Sequence, residues 1–178
     1  LAAAQTPVTD PARATEVVAL LRSAIEMARA LGDRHALSFV LSFGATVALL
    51  IPEAERFGIM TETVELARGL GQRLTLASAL PAYITALLGR GERARAEAEL
   101  ARYDELLAEF RQPLSPLQRL RRLLLGALLA ALAGDVEEAE RASEAARAIA
   151  DAAPMSSLSL LWLTHRLALA QLHGRPEL

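Results

Sequence analysis

Three histidines, His35, His165 and His173, are the only imidazoles in a chain of 178 residues that holds no cysteine. Any side-chain metal site therefore has to be built from them or from carboxylates. His165 and His173 stand eight residues apart on one helical stretch, outside the i,i+4 spacing by which two ligands share a helix face. They read as surface or groove histidines. The lack of cysteine removes disulfides, thiolate metal sites and cysteine nucleophiles together. All 19 basic residues are arginine, so neither a P-loop lysine nor a Schiff-base lysine is available. No H-E-x-x-H, G-x-S-x-G, G-x-G-x-x-G or Walker pattern occurs. Glu137, Glu138, Glu140 and Glu144 form an acidic group of the kind that could supply paired catalytic carboxylates. They fall at a helix start, where negative charge suits the helix dipole, and they alternate with Arg141 and Arg147. A solvated helix face is the reading. Arg119, Arg121 and Arg122 fall within one helical turn. Without interleaved aromatics, and with a net charge of −2, they suit salt bridges or an anionic ligand or peptide better than nucleic acid. The expectation is a chain with no catalytic residue, no metal and no cofactor.

The elements that carry these residues are helical. Alanine occurs 37 times and leucine 35 times, while valine, isoleucine and threonine together occur 21 times and aromatics make up 4%. Strong helix formers dominate and strand formers are scarce, so the expected class is all-α. An apolar share of 53% supports a continuous core and excludes disorder. The uncharged stretches Ala36–Pro52, Leu74–Gly89, Leu123–Gly134 and Ala152–His165 are each shorter than the roughly 18–20 residues of a bilayer span. No basic, apolar leader is visible. A soluble, cytoplasmic chain with no membrane partner is expected. Because the chain opens on Leu1, it is expected to be a piece of a longer polypeptide.

Turn residues divide it into eight expected helices, about 10–31, 33–50, 53–70, 73–89, 92–111, 115–133, 135–152 and 155–173. Asp10-Pro11, Gly32-Asp33, Ser115-Pro116 and Gly134-Asp135 carry the caps and starts, with an Asp135-x-x-Glu138 capping box. Pro52, Gly71, Gly89-Arg90-Gly91, Pro113, Pro154 and Gly174-Arg175-Pro176 supply the breaks. Short linkers make successive helices antiparallel neighbours. A repeat is present. Ile25–Leu41 aligned on Val64–Leu80, at an offset of 39, is identical at eight of seventeen positions. Leu31, Leu70, Phe110 and Ile149 continue the series at intervals of 39, 40 and 39, and the Gly91-Glu92 joint matches Gly134-Asp135. The reading is one α-solenoid domain over residues 1–178. It is right-handed and holds about four antiparallel helix pairs, about 10–50, 53–89, 92–133 and 135–173, with a period near 39.

Gly134 to Glu140, followed by Ala146 seven residues after Ala139, resembles the second-helix half of a tetratricopeptide repeat, whose small residues let helices approach closely. Gly91 and Ala96 look like a degraded second copy. The first-helix Trp, Leu-Gly and Tyr signature of that family is missing, and Leu123–Ala130 stands in its place. The runs ARALGDRHAL, LAEFRQPL and GDVEEAERASEAARA are similar to the helical arrays of large bacterial signal-transducing ATPases and transcription regulators. The resemblance implies a non-catalytic binding or sensing module. It would recognise a protein, a peptide or a small ligand on its concave face.

The register then points to residues. If the first helix of each pair lines that face, Gly44, Tyr83, Leu123 and Trp162 take equivalent positions. Tyr83, Arg119, Arg122, Trp162, His165 and Arg166 are the expected binding set, because Trp and Tyr beside arginine make common interface anchors. The competing reading of Trp162 is as core for a following helix. Helix 155–173 is apolar almost all round, which opens an alternative function: an oligomerisation scaffold, with a homodimer formed through that helix.

Overall fold

A computed structural model describes residues 11–47, 50, 51, 53–153 and 156–172. Among them lie eight α-helices: α1 Pro11–Leu31, α2 Arg34–Thr46, α3 Glu53–Gly69, α4 Arg73–Gly89, α5 Arg93–Ala108, α6 Pro116–Leu132, α7 Val136–Ala152 and α8 Ser156–Leu172. The all-α class stands. Asp10, Pro52, Pro154, His173 and the Gly174-Arg175-Pro176 turn fall outside the described residues. Two helices stop sooner than the apolar pattern suggests. α2 ends at Thr46, and Leu50 donates to the Val47 carbonyl in a tighter turn (2.9 Å). α5 ends at Ala108, four residues before the Gln112 that Pro113 keeps out of helical conformation.

Local chemistry sets the ends. Gly71 (φ +66°) and Gly134 (φ +81°) occupy the left-handed region and close Schellman turns. Gln72 and Asp135 donate to the carbonyls of Ala67 and Ala130, each at 2.9 Å. Asp33 caps α2 by accepting from the N–H groups of His35 (2.8 Å) and Ala36 (3.1 Å). Ser115 and Gln118 form a reciprocal capping box at α6. At α7 only half of the expected box is present. Asp135 accepts from the Glu138 N–H (3.0 Å), while the Glu138 carboxylate pairs with Arg141.

The chain divides into two compact units, Leu1–Arg90 and Gly91–Leu178. In the first, α2 packs on α1, α3 and α4, and α3 packs on α4. Its core holds Leu41, Ile51, Met60, Val64, Leu80, Ile84 and Leu87. In the second, α6 packs on both α7 and α8, and these pack on each other. Leu120, Leu124, Ala146, Ala150 and Leu158 form the core there. α5 is tied to α6 at two places. Asp104 pairs with Arg122, and Arg93 donates to the Leu132 carbonyl (3.2 Å).

Two mid-helix glycines sit in opposite surroundings. A Cβ on Gly44 of α2 would stand 2.7 Å from Ile59 Cγ2 of α3, whereas one on exposed Gly58 would meet nothing within 4 Å. Gly44→Ala should therefore destabilise the fold by about 1–3 kcal/mol through overpacking. Gly58→Ala should stabilise it by about 0.5–1 kcal/mol, because alanine loses less backbone entropy in a helix. Urea unfolding of both variants measures this, and opposite signs are the expected result.

Candidate interaction surfaces

Tyr83 belongs to the first unit, and the other five expected binding residues belong to the second. Tyr83 is only 4% exposed and stacks on Phe57, with ring centroids 6.0 Å apart. It is a core residue in this structure and offers no surface. Gly44, expected at the equivalent position, is buried against Ile59.

In the second unit Trp162, His165 and Arg166 stand together on α8, and Trp162 and Arg166 are fastened to α7. Trp162 packs half-buried against the Leu120–Leu158 core, its indole N–H donates to the Ser143 carbonyl (3.0 Å), and Arg147 lies over its ring at 5.6 Å. Arg166 donates to Glu140 (2.6 Å) with its side chain mostly buried. Arg122 makes a bidentate pair with Asp104. Arg119 is exposed on α6. The expected set is thus largely engaged inside the fold: one core tyrosine, three side chains that hold helix to helix, a buried histidine and one open arginine.

The acidic group is engaged in the same way. Glu137 and Glu138 pair with Arg141, Glu144 with Arg147, and Glu140 with Arg166. A second charged region is the cleft between α1 and α3, where Arg22 binds Glu55 (2.6 Å) and Arg29 binds Glu62 (2.5 Å). The hydrogen bond from Arg22 holds the Glu55 carboxyl below the ordinary range. Carboxylates committed to arginines serve poorly as general acids, since the neighbouring cation favours the ionised form. No group of three or more metal-ligating side chains occurs among the described residues.

Two apolar surfaces stand open among the described residues; sequence reasoning singled out the one on helix 155–173 and missed the other. The first is a groove of about 400 Å³ between α1 and α2, lined by Leu20, Ala24, Met27, Leu31, Ala36 and Val40. Leu20, Met27 and Leu31 are 63%, 66% and 72% exposed. Phe39 and Phe43 also stand exposed on α2, edge to face at 5.4 Å. The signal was present in the sequence. Leu20, Met27 and Leu31, spaced seven and four apart, make a second apolar stripe on a helix whose core stripe is Val18, Leu21, Ile25 and Ala28. The second surface is the outer side of α8, where Leu160, Leu163 and Leu167 are 62%, 51% and 64% exposed. No helix among the described residues is long and apolar enough to cross a membrane.

His165 carries the clearest electrostatic signature. Its Nε2 is buried without a partner among the described residues, as are Ser143 Oγ and Tyr103 Oη. Burial, with the Arg166 charge adding to it, pushes the imidazole down from 6.5 to about 4. The folded state thus holds His165 neutral where the unfolded chain takes up a proton. Its contribution is complete above pH 6.5 and is lost as pH falls towards 4. His165→Leu cannot titrate there. Relative to that variant, the wild type should lose on the order of 1–3 kcal/mol between neutral pH and pH 4. Urea melts of both proteins at the two pH values test this, and a pH-independent difference would show that His165 is solvated.

No family model, curated protein or solved structure matches the chain, and the tetratricopeptide likeness rests on its own residues.

Proposed function

We propose that the chain is a non-catalytic interaction module of a cytoplasmic bacterial regulator. In this reading about four antiparallel helix pairs form a right-handed, tetratricopeptide-like solenoid that binds a protein or peptide partner, or in second place a small ligand. The observation that carries it is the α1/α2 groove, whose apolar side chains lie open to solvent at a cost that a folded chain normally avoids. With the groove as the recognition surface, Tyr83, Arg122, Trp162 and Arg166 serve within the fold, where they already have partners, and Arg119 stays open. An uncharged, helix-walled groove suits the apolar face of a helix. The exposed leucines of α8 favour a second reading, in which two chains pair through that helix as a scaffold.

The test is capture from host lysate with the wild-type chain and with Met27→Glu as baits, followed by native mass spectrometry of the eluates. The expected result is a protein held by the wild type and reduced about tenfold or more by the variant, as for a central interface residue. A bound small mass in its place makes the module a ligand sensor. Equal recovery on both baits moves recognition away from the groove, and an empty eluate from both removes the reading.

A further inference from the structure

The same seat is built twice within the chain, once in each unit. In the first, α2 lies across α3 and α4. Gly44 presses on Ile59, the Thr63 hydroxyl donates to the Leu41 carbonyl (3.3 Å), and the Ser38 hydroxyl donates to Gln72 (2.5 Å). In the second, α6 lies across α7 and α8, with Leu120 and Leu124 against Ala146, Ala150 and Leu158. In both cases the second helix of one pair fills the groove of the next.

Among the described residues, the register identifies one seat that no helix covers and one helix face that covers none. On the pair that α2 covers, Ile59, Thr63, Ala67 and Ala79 are buried and Leu70 is half-buried. The residues 39 positions earlier are Leu20, Ala24, Ala28, Val40 and Leu31, and all five line the open α1/α2 groove. The filling face follows the same rule. It is Ser38, Leu41 and Gly44 on α2, and Leu117, Leu120 and Leu123 on α6. The spacing from Gly134 to Gly174 and the helix starts at Pro116 and Ser156 set this last period at 40, one more than the 39 that matched Leu123 to Trp162, and it reaches Ser157, Leu160 and Leu163 on α8. Those three are exposed.

We propose that α8 of one copy of this chain seats in the α1/α2 groove of a second copy, in the way α2 seats on α3 and α4 within a copy. This rests on the interaction-module reading and names the occupant of its groove. Neither surface places a charged side chain in the contact, so joining them strands no ion. The two faces differ, so the contact is heterologous. Each copy keeps one free groove and one free α8, and association runs beyond a dimer unless it closes into a ring.

Sedimentation velocity of the full chain over a wide concentration range tests the proposal, with Met27→Glu blocking the groove and Leu163→Glu blocking α8. The wild type should rise from its 19.1 kDa monomer mass past that of a dimer. Each variant alone should stay monomeric, and their equimolar mixture should form a 1:1 complex that grows no further. Both substituted residues are exposed, and unchanged helical circular dichroism confirms folding. Leu31→Glu and Leu160→Glu repeat the test at other positions. A wild type that stays monomeric overturns the proposal. So does a Met27→Glu variant that still dimerises, which would mean that α8 pairs with α8. A monomeric wild type that still captures a Met27-dependent partner overturns self-association alone and leaves the interaction-module reading standing.

Discussion

Two antiparallel helices bury the seam between them and leave a groove along the outside of the pair. Only another helix has the shape and the apolar stripe to fill that groove. Much of the chain's architecture answers this constraint. α2 and α6 each touch both helices of the pair that follows, because each helix closes a groove its own pair cannot close. The left-handed glycines serve the same end. The reversal at Gly71 brings α4 back alongside α3, so that a pair exists to be covered, and the one at Gly134 brings α7 back against the α6 that covers it. Where the covering helix is present, the groove residues are core. Where none lies among the described residues, as over α1 and α2, residues of the same register are surface.

Filling a groove requires small residues at the crossing and a means of fixing the axial position. Gly44 supplies the first: with any side chain there, α2 would have to lift away from Ile59. Polar groups supply the second. Leucine on leucine slides at little cost, but the Ser38–Gln72 hydrogen bond and the Trp162 N–H on the Ser143 carbonyl each hold at one position only. The Arg166–Glu140 pair does the same between α7 and α8, from a side chain that is mostly buried. These contacts set position more than they add stability, since partly exposed ion pairs contribute little net energy.

The all-α class and most of the helix ends were legible in the sequence because they depend on local signals. Glycine at Gly32, Gly71, Gly91 and Gly134 and caps at Asp33, Ser115 and Asp135 mark helix ends whatever the tertiary structure. The offset of 39 between Ile25 and Val64 marks the pairing of like with like. The site was not legible, for a physical reason. Aromatic and arginine residues anchor interfaces and cores by the same means, a broad apolar body with a polar tip. Tyr83 and Trp162 therefore looked the same in sequence, until their neighbours Phe57 and Ser143 placed one in the core and pinned the other against it. The α1/α2 groove was hidden for the opposite reason. Leu20 and Met27 are ordinary helix residues, and only the absence of a covering helix makes them a surface.

The chemistry-bearing side chains follow from the same constraint. With arginine as the only basic side chain, the cation at each charged crossing between helices is a guanidinium, whose planar fork holds a carboxylate in one orientation. Arg22 and Arg29 bind α1 to Glu55 and Glu62 of α3, Arg122 binds α6 to Asp104 of α5, and Arg166 binds α8 to Glu140 of α7. A carboxylate held in this way is oriented and occupied, the reverse of what proton transfer asks of it. Charged residues spent on register are missing from the groove and the leucine stripe, whose equivalents one repeat away are buried or half-buried where a neighbouring pair covers them.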